Sequence, residues 1–183
     1  MINPGTKAPA FTAKACVSIE KGKEFKNVSS KELEGKWVVF YTYPKDFTFV
    51  CPTEIVEFDK KMKDLADRGA TLLGGSTDNE FSHLAWRQNH ADLKTIKHPL
   101  LFVSPSMAQA FGLLQASAEV ALRATFIIDP QGVVRYAAAN DLSVGRNVDE
   151  VVRVLDGLQT DELCPCNWKK GDETLTTKLK KVG

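Results

Sequence analysis

Hydrophobic positions along this chain follow two rhythms. Continuous apolar runs of about six residues, closed by turn residues, read as buried strands. Apolar positions recurring every three or four residues read as helices. The run Trp37-Val38-Val39-Phe40-Tyr41-Thr42-Tyr43 is strongly β-prone and too apolar for a sheet edge. Pro44-Lys45-Asp46 closes it as a turn. Ile55, Phe58, Met62 and Leu65 then share one face of a helix over 51–67, with Pro52 at its first position and Gly69 at its exit. That places Cys51 at or near the N-cap, and puts Glu54 where its carboxylate can reach back to the N-cap amide. A strand over 70–76, a helix over 79–89, a short strand over 100–103 and a short helix over 106–111 ending at Gly112 follow. Runs over 124–128 and 133–138 flank the turn Asp129-Pro130-Gln131-Gly132 and predict a hairpin. Val148, Val151, Val152, Leu155 and Leu158 mark an amphipathic helix with Asn147 as its cap. Before all of these, the apolar piece over 10–17 in an otherwise polar start predicts a hairpin.

The resulting order is β-α-β-α-β-α-β-β-α. Alternating strands and helices imply a largely parallel central sheet covered on both faces, to which the closing hairpin adds antiparallel strands. The expected class is α/β: a thioredoxin-like fold with a central mixed sheet, an N-terminal hairpin extension and a C-terminal tail. Residues 1–159 form the expected domain. Residues 160–183 are polar and read as a tail.

Composition narrows the function. The chain has 183 residues, 24 Lys+Arg against 23 Asp+Glu, and a net charge of +1. A general nucleic-acid binder needs a basic excess that is missing here. No apolar run approaches the ~20 residues of a membrane span. The start Met1-Ile2-Asn3-Pro4-Gly5 lacks the features of a signal peptide, so a cytoplasmic location is expected. Thiols are kept reduced there. Four cysteines, Cys16, Cys51, Cys164 and Cys166, therefore read as catalytic, metal-binding or inert.

A thiol reacts as its thiolate. With an ordinary pKa of about 8.5, only ~3% is ionised at pH 7. Ionising ~90% takes about 3.4 kcal/mol of differential stabilisation. A helix N-terminus supplies roughly 1 kcal/mol, so a reactive thiol at Cys51 needs a cation and a hydrogen-bond donor besides. Thr48, three residues earlier, can turn its hydroxyl toward the sulfur or toward a substrate oxygen. Pro44 has no N–H and can wall the pocket. Arg123 and Arg146 precede a strand and a helix, and are the cations at hand. Position 54 is Glu, not Cys, which argues against a Cys-x-x-Cys reductase. Cys164-Pro165-Cys166 sits in the tail, where a thiol is well placed to attack an oxidised Cys51. Spacing does not decide which of the two does so. His83, His90 and His98 lie on other segments, so no zinc or other metal site is expected. Cys16, in an apolar strand, reads as a core thiol. His83 and Trp86 read as a packed helical face. Trp168 either docks the tail or is exposed.

Several of these stretches resemble one family. Pro44-Lys45-Asp46-Phe47-Thr48-Phe49-Val50-Cys51-Pro52-Thr53-Glu54 resembles the active-site loop of typical 2-Cys peroxiredoxins, with its pattern Pro-x-x-x-Thr-x-x-Cys. Leu122-Arg123-Ala124-Thr125-Phe126 and Val144-Gly145-Arg146-Asn147 resemble its two arginine segments. Glu162-Leu163-Cys164-Pro165 with Trp168 resembles its resolving-cysteine motif. The nearest subgroup is the bacterial alkyl hydroperoxide reductase peroxidase subunit. The resemblance implies a peroxidase without cofactor that reduces hydrogen peroxide and organic hydroperoxides. In it Cys51 becomes a sulfenic acid, and Thr48 and Arg123 hold thiolate and peroxide. Pro44 shields the pocket, while Glu54 and Arg146 orient Arg123. Cys164 closes an intersubunit disulfide, which a dithiol reductant opens: a flavoprotein disulfide reductase or a thioredoxin-like protein. Homodimers assembled as rings of five are implied, and a holdase chaperone or redox-signalling scaffold is the alternative role. Cys166 is a departure: it either receives the disulfide from Cys164 or docks the reductant. The Gly-Gly-Leu-Gly insert and Tyr-Phe tail motif of over-oxidation-sensitive members are missing, which implies resistance to sulfinic acid formation.

Overall fold

The computed structural model describes residues 1–115, 117 and 120–182. Strand β3 (Trp37–Thr42) is buried from its second residue onward, as its apolar run predicts. Such runs mark strands covered on both faces, and β4 (Ala70–Ser76) and β8 (Arg123–Ile128) share the property. The N-terminal hairpin is β1 (Thr12–Cys16) and β2 (Phe25–Ser29), and β5 (Leu100–Phe102) and β9 (Val134–Asn140) complete the set. Seven strands form one sheet in the order β2-β1-β5-β4-β3-β8-β9. The outer strands β2 and β9 are the less buried ones, with Lys26, Asn27 and Arg135 exposed. A separate antiparallel ribbon, β6 (Leu114–Gln115) with β7 (Val120–Ala121), was not predicted; two residues per strand leave no pattern to read.

The sheet is mixed, as expected, but less parallel than the element order implied. Among the described residues only β3 with β4 and β4 with β5 run parallel. The remaining neighbours pair antiparallel, because β8 and β9 are joined by a tight turn and β1 lies antiparallel against β5. A core of Phe40, Phe111 and Phe126 packs with one edge-on, one tilted and one stacked ring pair, centroids 5.4 to 6.2 Å apart.

The helix predicted over 51–67 is two helices, α1 (Val50–Lys60) and α2 (Met62–Ala66). Lys61 interrupts them: its N–H bonds Phe58 O, three residues back, and its backbone leaves the helical region at ψ 2°. Helix α3 (Glu80–Asn89) starts from Asn79, whose side chain accepts from the N–H groups of Phe81 and Ser82. Helix α4 (Pro105–Phe111) starts from Ser104 and ends at Gly112, whose φ of 65° suits a residue without Cβ.

The chain divides into two compact units, Met1–Arg146 and Asn147–Gly183. The division falls before α5 (Val148–Leu158), not after it, because the segment after Gln159 folds with that helix. Within the second unit Trp168 is buried, with its ring at Gly157, and its indole N–H donates to Asp172 O at 3.0 Å. Arg153 of α5 donates to Trp168 O at 2.9 Å. A further helix, α6 (Leu175–Val182), begins after Thr174, whose hydroxyl accepts from Thr177 N–H. The expectation of a plain polar tail is thus corrected: one buried indole and one side-chain cap order the segment.

Candidate active site

The loop between β3 and α1 is pinned from one side by Asp46. Its buried carboxylate accepts from Tyr43 Oη at 2.9 Å and Ser82 Oγ at 2.9 Å, and lies 2.7 Å from His83 Nδ1. The Asp46 N–H donates to Asp78 at 2.9 Å. His83 and Trp86 are buried on one face of α3, as expected, and His83 also anchors this loop. Beyond Asp46, Phe47 takes a left-handed conformation with φ 56°, uncommon for a bulky residue. Pro44 is buried.

Helix α1 begins one residue earlier than predicted. Val50 is its first residue and Phe49 its cap position, which makes no side-chain capping bond. Cys51 is therefore near the cap, in the first turn, and not at it, and it is fully buried. Glu54 does not reach back to the cap. Its carboxylate turns instead to two arginines brought from distant segments. Oε2 accepts from Arg123 Nη1 at 2.7 Å, and Oε1 accepts from Arg146 Nε at 2.8 Å and Arg146 N–H at 3.0 Å. Two guanidinium groups compete with the amide of its own helix cap for this carboxylate, and charged donors are the stronger partners.

Arg123 stands at the first position of β8. Its Nε donates to Leu142 O at 2.7 Å, which leaves Nη1 directed at both Glu54 and Cys51 Sγ, the latter at 3.3 Å. Arg146 spans two strands, donating from Nη1 to Thr42 O and to Ala124 O, each at 2.7 Å. Asn140 holds the loop that delivers it by donating to Val144 O and Gly145 O. All three charged side chains are almost wholly buried. Two guanidinium groups and one carboxylate leave the buried set one positive charge in excess, beside a thiol. Thr48 lies close in sequence, but its hydroxyl donates to Lys45 O at 3.0 Å.

These elements match known proteins over nearly the whole chain. The model of the AhpC/TSA family matches residues 4–137. The chain belongs to that family. It is 55% identical over 152 residues to alkyl hydroperoxide reductase C of Mycolicibacterium smegmatis, covering 82% of this chain and 77% of that protein. It is 47% identical over 184 residues to alkyl hydroperoxide reductase C of Mycobacterium tuberculosis, covering 96% and 94%. The reduced 2-Cys peroxiredoxin of Plasmodium vivax superposes with a TM-score of 0.87 at 37% identity, covering 94% of this chain and 92% of that one. The fold is the thioredoxin-like peroxiredoxin fold, and the chain is a thiol-dependent peroxidase.

The other thiols stand in different settings. Cys164, in the second unit, is half-buried; its sulfur lies 3.4 Å from Thr160 Oγ1 and 3.8 Å from Gly157 O. The Thr160 proton goes to Gly157 O at 2.8 Å, so Cys164 faces acceptors. Cys166 is exposed. Cys16 is fully buried in β1, as expected of a core thiol. No helix among the described residues is long and apolar enough to cross a membrane. Sequence reasoning missed Asp46 and His83 as loop anchors. A histidine on an apolar helical face and an aspartate in a turn carry no local signal of each other.

Proposed function

We propose that Cys51 is the peroxidatic thiol and that Arg123 holds its reactive anion. The observation that carries this is the 3.3 Å approach of Arg123 Nη1 to Cys51 Sγ in the first turn of α1. The anion would also cancel the excess positive charge of the buried set, and the guanidinium supplies the cation that a helix terminus alone lacks. The thiolate attacks one peroxide oxygen, the O–O bond breaks, and the leaving alkoxide or hydroxide takes a proton to become alcohol or water. Cys51 is left as a sulfenic acid. Arg123 stabilises the charge developing on the leaving oxygen. The Thr48 proton is committed to Lys45 O, so its oxygen acts as an acceptor for the peroxide O–H. Pro44 walls the pocket. Because Cys51 is fully buried, the 44–49 loop must open to admit substrate.

Cys164 then attacks the sulfenic acid, releasing water and forming an intersubunit disulfide. A dithiol reductant, a flavoprotein disulfide reductase or a thioredoxin-like protein, returns both thiols. Cys166 relays that disulfide or docks the reductant. Hydrogen peroxide and organic hydroperoxides are the substrates, the protein works in the cytoplasm, and homodimers assemble as rings of five. Dimedone trapping after one equivalent of peroxide tests the first step: the adduct is expected on Cys51 in a Cys164→Ser background, and an adduct only on another cysteine overturns the proposal. Non-reducing electrophoresis tests the second, with a Cys51–Cys164 linked dimer expected from wild type and not from Cys164→Ser.

A further inference from the structure

Three polar side chains unused by that reaction form a row that runs from the core beside Arg146 to the half-buried Asp59. Tyr41 Oη lies 2.7 Å from His98 Nε2, and His98 Nδ1 lies 2.8 Å from Asp59 Oδ1. Asp59 also accepts from Lys97 N–H at 2.7 Å. Tyr41 and His98 are fully buried. Gly74 gives the hydroxyl its room: a Cβ there would sit 2.5 Å from Tyr41 Oη.

The protons in this row can be assigned. Burial holds the His98 imidazole below its ordinary range, which favours the neutral ring. Burial pushes the Asp59 carboxyl up, but hydrogen bonds from His98 and from Lys97 N–H outweigh it and hold the group below its ordinary value. An ionised carboxylate can only accept, so His98 Nδ1 carries the proton and Nε2 presents its lone pair. Tyr41 is then the donor to His98.

The ring of Tyr41 stacks on Phe58 with centroids 4.0 Å apart and planes 8° from parallel. Arg146 Cζ lies 5.2 Å from the Tyr41 centroid and 5.5 Å from that of Phe58. Arg146 Nη2 is buried and has no hydrogen-bond partner among the described residues. The Tyr41–Phe58 stack, within cation–π reach of the guanidinium carbon, is the neighbour left to receive that charge. A phenol that donates to a carboxylate-backed imidazole carries a more electron-rich ring than one that does not.

We propose that Tyr41, held by His98 and Asp59, is a positioning residue: its hydrogen-bonded ring seats Arg146, which fixes Glu54 and through it Arg123 against Cys51. This rests on the reading of Cys51 as the peroxide-reactive thiol. The test is the second-order rate constant for oxidation of pre-reduced protein by hydrogen peroxide, in wild type, Tyr41→Phe, His98→Leu and His98→Gln, each verified as folded by circular dichroism. Tyr41→Phe keeps the ring and loses the donor. His98→Leu removes its acceptor, while His98→Gln restores one. A loss of about fivefold, the scale of a weakened buried cation–π contact, is expected in the first two, with His98→Gln within twofold of wild type. Equal rates in all four overturn the proposal, as does His98→Gln as slow as His98→Leu, or variants that lose melting temperature but no rate. If Tyr41→Phe does not fold, the two His98 variants decide alone. An unreactive wild type would instead overturn the reading of Cys51.

Discussion

Two thiols in the first unit, Cys51 and Cys16, are each fully buried beside a buried arginine. Arg123 Nη1 lies 3.3 Å from Cys51 Sγ, and Arg87 Nη1 lies 3.6 Å from Cys16 Sγ. By distance and burial alone the two pairs are nearly the same. They differ in what else the groups touch. Cys16 lies in a strand and its thiol donates to Ser18 O at 3.6 Å. Arg87 serves backbone carbonyls, Cys16 O at 3.3 Å and Ile96 O at 2.6 Å. Burial pushes the Cys16 thiol up, and the arginine beside it does not overcome that. Cys51 sits in a first helical turn, and its arginine is clamped by Glu54 and Leu142 O. Glu54 in turn binds Arg146, so two cations share one carboxylate at the sulfur. A neighbouring guanidinium is therefore not sufficient. The proposed reactive thiol, Cys51, stands at a helix start, where free amides converge, beside a guanidinium that a carboxylate holds in place.

The comparison breaks most visibly if the two cysteines are exchanged for serine. Cys51→Ser should abolish peroxide consumption, whereas Cys16→Ser should leave the rate within about twofold, because Cys16 touches nothing in the reaction. Next come the arginines. Arg123→Met should slow peroxide reduction by roughly 10²-fold or more, the scale for losing one donor at a developing oxyanion. Arg87→Met should leave the rate intact and show up in chemical denaturation as a loss of about 1–3 kcal/mol from two orphaned carbonyls. Glu54→Gln should fall between, slowing turnover about tenfold as both guanidinium groups lose their anchor, with a lowered denaturation midpoint.

The smallest expected effect is on pH-dependent stability. Cys16 binds its proton more tightly when folded than when unfolded. Its contribution is fully present below the unfolded thiol value of about 8.5 and is lost as pH rises through the folded one. Melting temperature between pH 8 and 10 should thus fall less steeply in Cys16→Ala than in wild type. Parallel slopes would contradict the raised Cys16 thiol.

Much of this site could be read from the residues in order, and the reasons are local. Cys51 followed by proline after an apolar strand, and arginines at the starts of later elements, are signals a few residues wide. What Glu54 does was not legible, because its partners lie 69 and 92 residues away and the choice between its own helix cap and the two arginine segments is made by the sheet. The break at Lys61 leaves the apolar spacing of 55–65 undisturbed, so periodicity ran through it. Helix α6 has Leu175 and Leu179 as large apolar residues in a Lys-rich run, and its start depends on the Thr174 side chain. The row Tyr41, His98 and Asp59 comes from a strand, a loop and a helix far apart in sequence and has no sequence signature at all.

The central claim is that the setting of Cys51, and not burial beside an arginine, makes a thiol reactive toward peroxide. Stopped-flow oxidation of pre-reduced protein by hydrogen peroxide and by an organic hydroperoxide, in wild type, Cys51→Ser and Cys16→Ser, tests it most directly. Wild type and Cys16→Ser should react orders of magnitude faster than free cysteine, and Cys51→Ser should not. A wild type no faster than free cysteine, or a Cys51→Ser protein as fast as wild type, would contradict it.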